Sequence, residues 1–439
     1  MKSLAGPWWS SALEIGRSRW VRVAAAGLVF ALGLSLALVR MRPLPAIGQL
    51  RVSAPWVMAD FLQAVYYPAL SFVDGGNPYN STVYLANYPA GVPFPAYAPA
   101  TLLINLPFAL LPLGAATIVY FVATIALTVL LAGLALRLAG WRVTAAAVLA
   151  VSGVVLLTRP GHWNLLLGQV AVPMVLASYL AAWFGRTSPT LGGIGLALAL
   201  LKPTFGIPLV PLLLAQGARA AVIRGVGLAA ALNLPMLAIL VRREGGVPSF
   251  LGGFLQTQSR FLGQSHIDPL QGIWRVDLSA CVSRFGGTTL GPLAQAGVAL
   301  AVLGIGVWAI RRLPSADPRA GRLARGVLCC AVLLSFYHQA YDLLLLTLPA
   351  AELVAAWRSG SGSRPILFAE AGLMVVLAGN YLATESLIVA LQPGPAARLA
   401  LLTTNCIAMA GLIGLYLLEP ARRRRPRLAT IPELRLTSR

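Results

Sequence analysis

The chain has 439 residues, 58% of them hydrophobic and only 11% charged, with 34 Lys and Arg against 13 Asp and Glu. A water-soluble enzyme would carry about 25% charged residues, so that class is excluded. The net charge of +21 does not point to nucleic acid either, because no polar domain exists on which a basic face interleaved with aromatics could be built.

Apolar runs near the ~20-residue length that crosses a bilayer recur from end to end, broken by Gly, Pro and Arg. They predict an all-α polytopic membrane protein, a single integral membrane domain over 1–439. The first run, near 22–40, follows Lys2, Arg17, Arg19 and Arg22. It exceeds the ~7–15-residue core of a signal peptide and lacks a clear small-residue cleavage site, so it reads as a retained span. A long segment over 40–111 comes next, followed by runs near 113–136, 142–158, 170–185, 190–204, 205–218 and 222–241. A second long segment over 242–289 precedes runs near 290–310, 325–338, 341–357, 365–387 and 397–418, and 420–439 forms a basic tail. The expected total is about 12 transmembrane helices. The two runs flanking Lys202-Pro203 are short and read as broken or re-entrant helices.

With the N-terminus cytoplasmic, this order puts most Lys and Arg inside, including Arg311, Arg312, Arg319, Arg322, Arg325 and Arg422 to Arg425. The positive-inside bias then accounts for most of the basic excess. Arg422 to Arg425 suit an orientation anchor at the lipid surface or a lipid-headgroup site. Both termini are cytoplasmic in this scheme. The segments 40–111 and 242–289 become external loops, and Asp60, Asp74, Asp268, Asp277, Asp342, His162, His266 and His338 fall on the same outer side. Cys281, Cys329, Cys330 and Cys406 show no metal-ligand spacing and predict neither disulfide nor zinc.

Within the first loop, Ala59 to Phe72 predicts an interfacial helix whose regular spacing would align Asp60, Gln63, Tyr67 and Asp74. Gly75-Gly76-Asn77-Pro78-Tyr79-Asn80 is a turn signal, and Tyr88-Pro89 and Tyr97-Ala98-Pro99 follow it. An acid at a membrane entrance followed by aromatics suits a sugar and its lipid; it equally suits a solvated helix-start carboxylate among interfacial rings. Lys202 is the only lysine besides Lys2 and lies within an apolar run. Burying its ammonium costs roughly 2.5 to 3.5 kcal/mol on insertion scales, so it is a partner for an anionic headgroup or phosphate, or a snorkelling anchor. Asp342 follows His338 by four residues and would orient it on a helix; a packing role for the histidine stays open. No zinc-protease, serine-hydrolase, P-loop or dinucleotide pattern occurs.

Several blocks appear in a telling order: Asp60-Phe61, Asn77-Pro78-Tyr79-Asn80 and Tyr97-Ala98-Pro99; Leu167-Gly168-Gln169-Val170; Gly195 to Phe205 around Leu201-Lys202-Pro203-Thr204; and Gly263-Gln264-Ser265 with Leu270-Gln271-Gly272-Ile273. In these blocks the chain, from about Asp60 to Pro349, resembles glycosyltransferase family 87. These are GT-C-like membrane enzymes that use polyprenyl-phosphate sugars and include phosphatidylinositol-mannoside mannosyltransferases and mycobacterial arabinofuranosyltransferases. Two departures stand out: the family usually has Tyr-Pro-Pro where this chain has Tyr97-Ala98-Pro99, and an Asn at Gly263.

The resemblance implies inverting transfer of mannose or arabinofuranose from a polyprenyl-phosphate sugar donor to a glycolipid or polysaccharide acceptor, on the external face of a bacterial plasma membrane. The family's first-loop acid matches Asp60, which would act as general base on the acceptor hydroxyl. A departing phosphate needs cations or donors rather than an acid. Lys202 and His338 are the candidates for it, with His162, Gln169 and Gln264 as hydroxyl or phosphate ligands. Asp74, Tyr79, Tyr97, Ser265, His266 and Tyr341 are the further donor- or acceptor-binding candidates. Partners are the donor, the acceptor and membrane lipids. No cofactor is expected, and no metal, since Asp60 and Asp74 alone do not supply enough clustered oxygen ligands. Two rivals remain: a lipid or polysaccharide flippase with Lys202 at its translocation site, and a non-catalytic envelope scaffold in which Asp60 is dispensable.

Overall fold

The computed structural model describes residues 18–41, 57–313 and 319–421. Residues 42–56 of the expected first loop, Lys2 and Arg17, and the tail beyond Ala421 with Arg422 to Arg425 lie outside the described residues. The described chain is built from helices, with one isolated bridge pairing Arg275 with Gln339. In chain order the main helices are α1 (Arg19–Met41), α2 (Leu113–Leu138), α3 (Ala145–Leu157), α4 (Arg159–Leu167), α5 (Ala171–Phe184), α6 (Pro189–Ala199), α7 (Pro203–Ala215) and α8 (Arg219–Arg243). They continue as α9 (Val247–Leu262), α10 (Leu278–Gly286), α11 (Pro292–Arg312), α12 (Ala320–Ser335), α13 (Thr347–Ser359), α14 (Arg364–Gly379) and α15 (Pro395–Ala421).

Seven described segments are long and apolar enough to cross a membrane: α1, α2, α8, α11, Ala340–Ser359, Arg364–Ala383 and Pro395–Glu419. The pair α3 and α4, bent by 79° at Thr158, adds an eighth if taken as one span. The other expected spans are α5, α6, α7 and α12, of 14, 11, 13 and 16 residues. These fall short of the ~20 residues a straight span needs. Proline explains the shortness of α6 and α7. Pro189 and Pro203 each occupy the first helical turn, where a missing N–H costs nothing but the preceding helix cannot continue. The expected break at Lys202-Pro203 is present, with Lys202 in extended conformation (φ −110°, ψ 96°) between α6 and α7.

Small residues let these helices approach closely. A Cβ on Gly153 of α3 would sit 2.6 Å from the backbone nitrogen of Phe30 in α1, and one on Gly195 of α6 2.6 Å from the Ala177 carbonyl oxygen in α5. In an apolar medium such backbone contact supplies packing that bulkier side chains would block. α12 is buried from Gly326 through Ser335 and forms the central rod.

The two long segments pack on one another. Glu244 accepts from the side-chain amides of Asn77 (3.0 Å) and Asn80 (3.2 Å), and Thr257 of α9 accepts from the Ser81 N–H (2.9 Å) while donating to the Tyr79 carbonyl (2.7 Å). Beneath them Tyr79, Phe94, Phe250 and Phe254 form an aromatic cluster. The turn read from Gly75 to Asn80 therefore anchors one segment to the other.

Candidate active site

The acid of the first segment lies on a helical stretch made of Ala59–Phe61, a π-turn at Leu62–Tyr66, and Tyr67–Val73. A π-turn takes in one extra residue, which rotates everything after it by about 100° relative to a continuous α-helix. The predicted alignment is therefore broken. Asp60 and Gln63 line a cavity of about 500 Å³, while Tyr67 and Asp74 do not. Asp74 caps the far end, exposed, and accepts from the Tyr88 hydroxyl at 2.6 Å.

The start of this stretch is fixed by an unusual backbone. Met58 adopts left-handed φ 55°, a strained conformation for a side chain, and its N–H donates to the Leu166 carbonyl at the end of α4 (2.8 Å). Gly168 closes α4 at φ +66°, and a Cβ there would stand 2.7 Å from Cβ of Phe61. This close approach brings the next residue, Gln169, against the acid: its Nε2 donates to Asp60 Oδ2 at 2.5 Å. The Asp60 carboxyl is raised from 3.8 to about 6, mainly by burial; the Gln169 hydrogen bond and the Lys202 charge pull it down, and Asp342 pushes it up.

Lys202 lines the same cavity from the break before α7. Its Nζ lies 2.7 Å from Asp342 Oδ1 and about 5 Å from the rings of Phe205 (5.0 Å) and Tyr341 (5.3 Å). Asp342 is held in turn by His338 Nδ1 at 2.9 Å and by the Gln339 N–H at 3.2 Å. The first turn of α7 also offers Thr204, whose hydroxyl is buried and has no partner among the described residues. A cation, a hydroxyl and a helix N-terminus thus converge where an anion is best held.

His338 does not reach the cavity. Its side chain is fully buried, with Nε2 3.0 Å from the Thr204 carbonyl and Nδ1 on Asp342, so neither nitrogen is free for a phosphate. The four-residue spacing from His338 to Asp342 orders the acid, which orders Lys202.

Of the other expected ligands, Tyr97, Gln169, His266 and Tyr341 line the cavity. Tyr79 is buried in the aromatic cluster and donates to the Tyr97 carbonyl at 2.5 Å, a supporting contact behind the lining. His162 is buried within α4, away from the cavity lining, and Ser265 faces a neighbouring cavity; Gln264 lines neither.

Sequence reasoning aligned Gln63 with Asp60 but gave it no ligand role, and passed over Gln258, Trp274 and Gln339; all four are part of the lining. For Gln258 a signal existed: Phe254, Gln258, Phe261 and Leu262 recur at offsets of four, seven and eight residues, one face of α9. Trp274 and Gln339 meet through the bridge between Arg275 and Gln339, a long-range pairing with no local signature. No group of three or more His, Cys, Asp or Glu able to hold a metal occurs among the described residues.

The model of glycosyltransferase family 87 matches residues 94–335. That span is more than half of the chain and contains Tyr97, Gln169, Lys202, His266 and Trp274; Asp60 precedes it. No curated protein and no solved structure matches the chain. Apolar helices of spanning length, a recessed cavity lined by both an acid and a cation, and a match over most of the bundle agree: the chain belongs to glycosyltransferase family 87, a membrane glycosyltransferase.

Proposed function

We propose that the protein transfers a sugar, mannose or arabinofuranose, from a polyprenyl-phosphate donor to a glycolipid or polysaccharide of the envelope, with inversion at the anomeric carbon. The acceptor hydroxyl oxygen bonds to that carbon while the bond from carbon to phosphate oxygen breaks. The hydroxyl proton passes to Asp60, and the lipid phosphate leaves as an anion toward Lys202 and Thr204. A carboxyl raised to about 6 is ionised at neutral pH yet basic enough to take a proton, which an ordinary carboxylate does poorly. The phosphate needs stabilisation of charge, and a preorganised cation in a recessed site supplies it.

The observation that carries this reading is the placement of Asp60 and Lys202 in one cavity. Lys202 serves the donor phosphate, Asp342 positions Lys202, and His338 positions Asp342. The working side is the external face of a bacterial plasma membrane, where a lipid-linked sugar needs no nucleotide site.

The test uses purified protein in lipid nanodiscs with polyprenyl-phosphate mannose or arabinofuranose as donor. Lys202→Gln is expected to raise donor KM much more than acceptor KM; an equal rise in both defeats the phosphate role. Asp60→Asn should abolish transfer in a protein that still folds, and retained turnover removes the proposed base.

A further inference from the structure

Behind the Asp60 cavity lies a second one of about 600 Å³. His266 and Trp274 line both, so these two side chains form the wall between them. Unlike the lateral apolar cavity between α2, α3 and α13, it is rich in polar groups: Ser265, Gln271, Glu385, Gln392 and Arg398 all contribute. Glu385 and Arg398 are exposed at its rim, and among the described residues neither pairs with another side chain. Mixed donors and acceptors around a Trp ring match a sugar, whose hydroxyls do both and whose C–H face packs on an aromatic plane.

The walls are held rigid from behind by two buried arginines. Arg284 donates through Nη2 to the Gly272 carbonyl (2.5 Å) and through Nη1 to Leu402 (2.6 Å), tying the 272–275 turn to α15. Arg159 donates to the carbonyls of Asn380 and Ala383, both at 2.8 Å, and so fixes the stretch that leads into Glu385. Trp274 is set edge-on against Trp163, ring centres 4.2 Å apart. Guanidinium groups spent on backbone carbonyls hold loop geometry in place before any ligand arrives, which lowers the ordering cost of binding. The far wall, 385–398, also lies beyond the residues that the family model matches, whereas His266 and Trp274 lie within them.

We propose that this second cavity is the acceptor subsite: it takes the glycan headgroup of the acceptor, stacked on Trp274, and presents one hydroxyl past His266 to Asp60. The proposal rests on the transferase reading above. The donor sugar and phosphate then occupy the Asp60 cavity, and the two substrates meet at the wall.

The test measures both Michaelis constants for the full chain in nanodiscs, with polyprenyl-phosphate mannose or arabinofuranose as donor and octyl α-mannoside or octyl α-arabinofuranoside as acceptor. Glu385→Gln and Gln271→Leu are each expected to raise acceptor KM about tenfold or more while donor KM stays within about twofold. An unchanged acceptor KM in both variants, or an equal rise for donor and acceptor, overturns the subsite. Asp60→Asn keeps the two ideas apart. If that variant is inactive while Glu385→Gln and Gln271→Leu bind acceptor normally, only the subsite falls; if it remains active, the transferase mechanism falls first.

Discussion

Asp60 shows how one side chain is tuned by its neighbours. Burial favours the neutral acid and lifts the carboxyl from 3.8 to about 6, while the Gln169 amide and the Lys202 ammonium favour the anion and stop the rise there. The base proposed here works only when deprotonated, so kcat/KM should fall about tenfold per unit as pH drops below about 6 and level off above it. A limb centred near 4 would show that another group sets the rate. Gln169→Leu removes a donor that stabilises the anion, so the midpoint of this limb should move to higher pH; a midpoint that stays put or falls separates Gln169 from the base. Stability runs the other way. The folded state holds the Asp60 proton more tightly than the unfolded chain, so this group makes the fold less stable as pH rises from about 4 to about 6. Asp60→Asn, which keeps an oxygen for Gln169, should melt at least as high as the parent at pH 7.5 while losing roughly 10²- to 10⁴-fold in rate.

The turn between α4 and α5 and the π-turn after Asp60 act as a pair of elements. Gly168 needs left-handed φ and has no room for a Cβ against Phe61, and both demands fall on the residue that places Gln169. Gly168→Ala should therefore cost about 1 to 3 kcal/mol of stability, read as a lowered melting temperature, and shift the pH limb by pulling Gln169 off the acid. A variant with normal kcat and an unshifted limb would mean that the contact is packing alone. This level of organisation was only partly legible. Leu167-Gly168-Gln169 stood out as a block and Asp60 as an acid, but nothing local joined them, because they are 109 positions apart. The π-turn was hidden for a different reason: Leu62 to Tyr66 carries no residue that demands it, so regular spacing carried Asp74 wrongly onto the Asp60 face. At Lys202-Pro203 the proline rule sufficed, and the break appears where the sequence puts it.

Across the whole molecule, α12 separates two different ends. Near Ser335 lie His338, Tyr341 and Asp342; about 15 to 24 Å away along this 16-residue helix lie Arg325, Arg322 and Arg319. Arg322 pairs with Glu370 (2.9 Å) and Glu419, and Arg325 with Glu352. Three Arg–Trp contacts belong to the same level: Arg312 over Trp308, Arg325 over Trp183 and Arg358 over Trp141. Arg and Trp together mark a membrane interface. At the site end four arginines are engaged internally: Arg159, Arg243 and Arg284 donate to backbone carbonyls and Arg275 pairs with Asp277. Sequence counting of basic residues grouped Arg311, Arg312, Arg319, Arg322 and Arg325 on one side, but the ion pairs that hold them are long-range and have no local signature; of the twelve runs read as spans, seven described segments reach spanning length, and Pro189 and Pro203 set the short starts of α6 and α7. Removing one partner of a buried ion pair leaves a bare charge, so Arg322→Met should destabilise by about 3 to 5 kcal/mol, with kcat of the folded fraction unchanged because the cluster is remote from the cavity. A fall in kcat without a fall in melting temperature would instead tie the cluster to the site. If the arginine-rich end is cytoplasmic, a reporter inserted near 320 should read inside and one near 265 outside. The reverse pattern would place the Asp60 cavity on the cytoplasmic face, where a lipid-linked sugar made inside the cell would reach it without crossing the membrane.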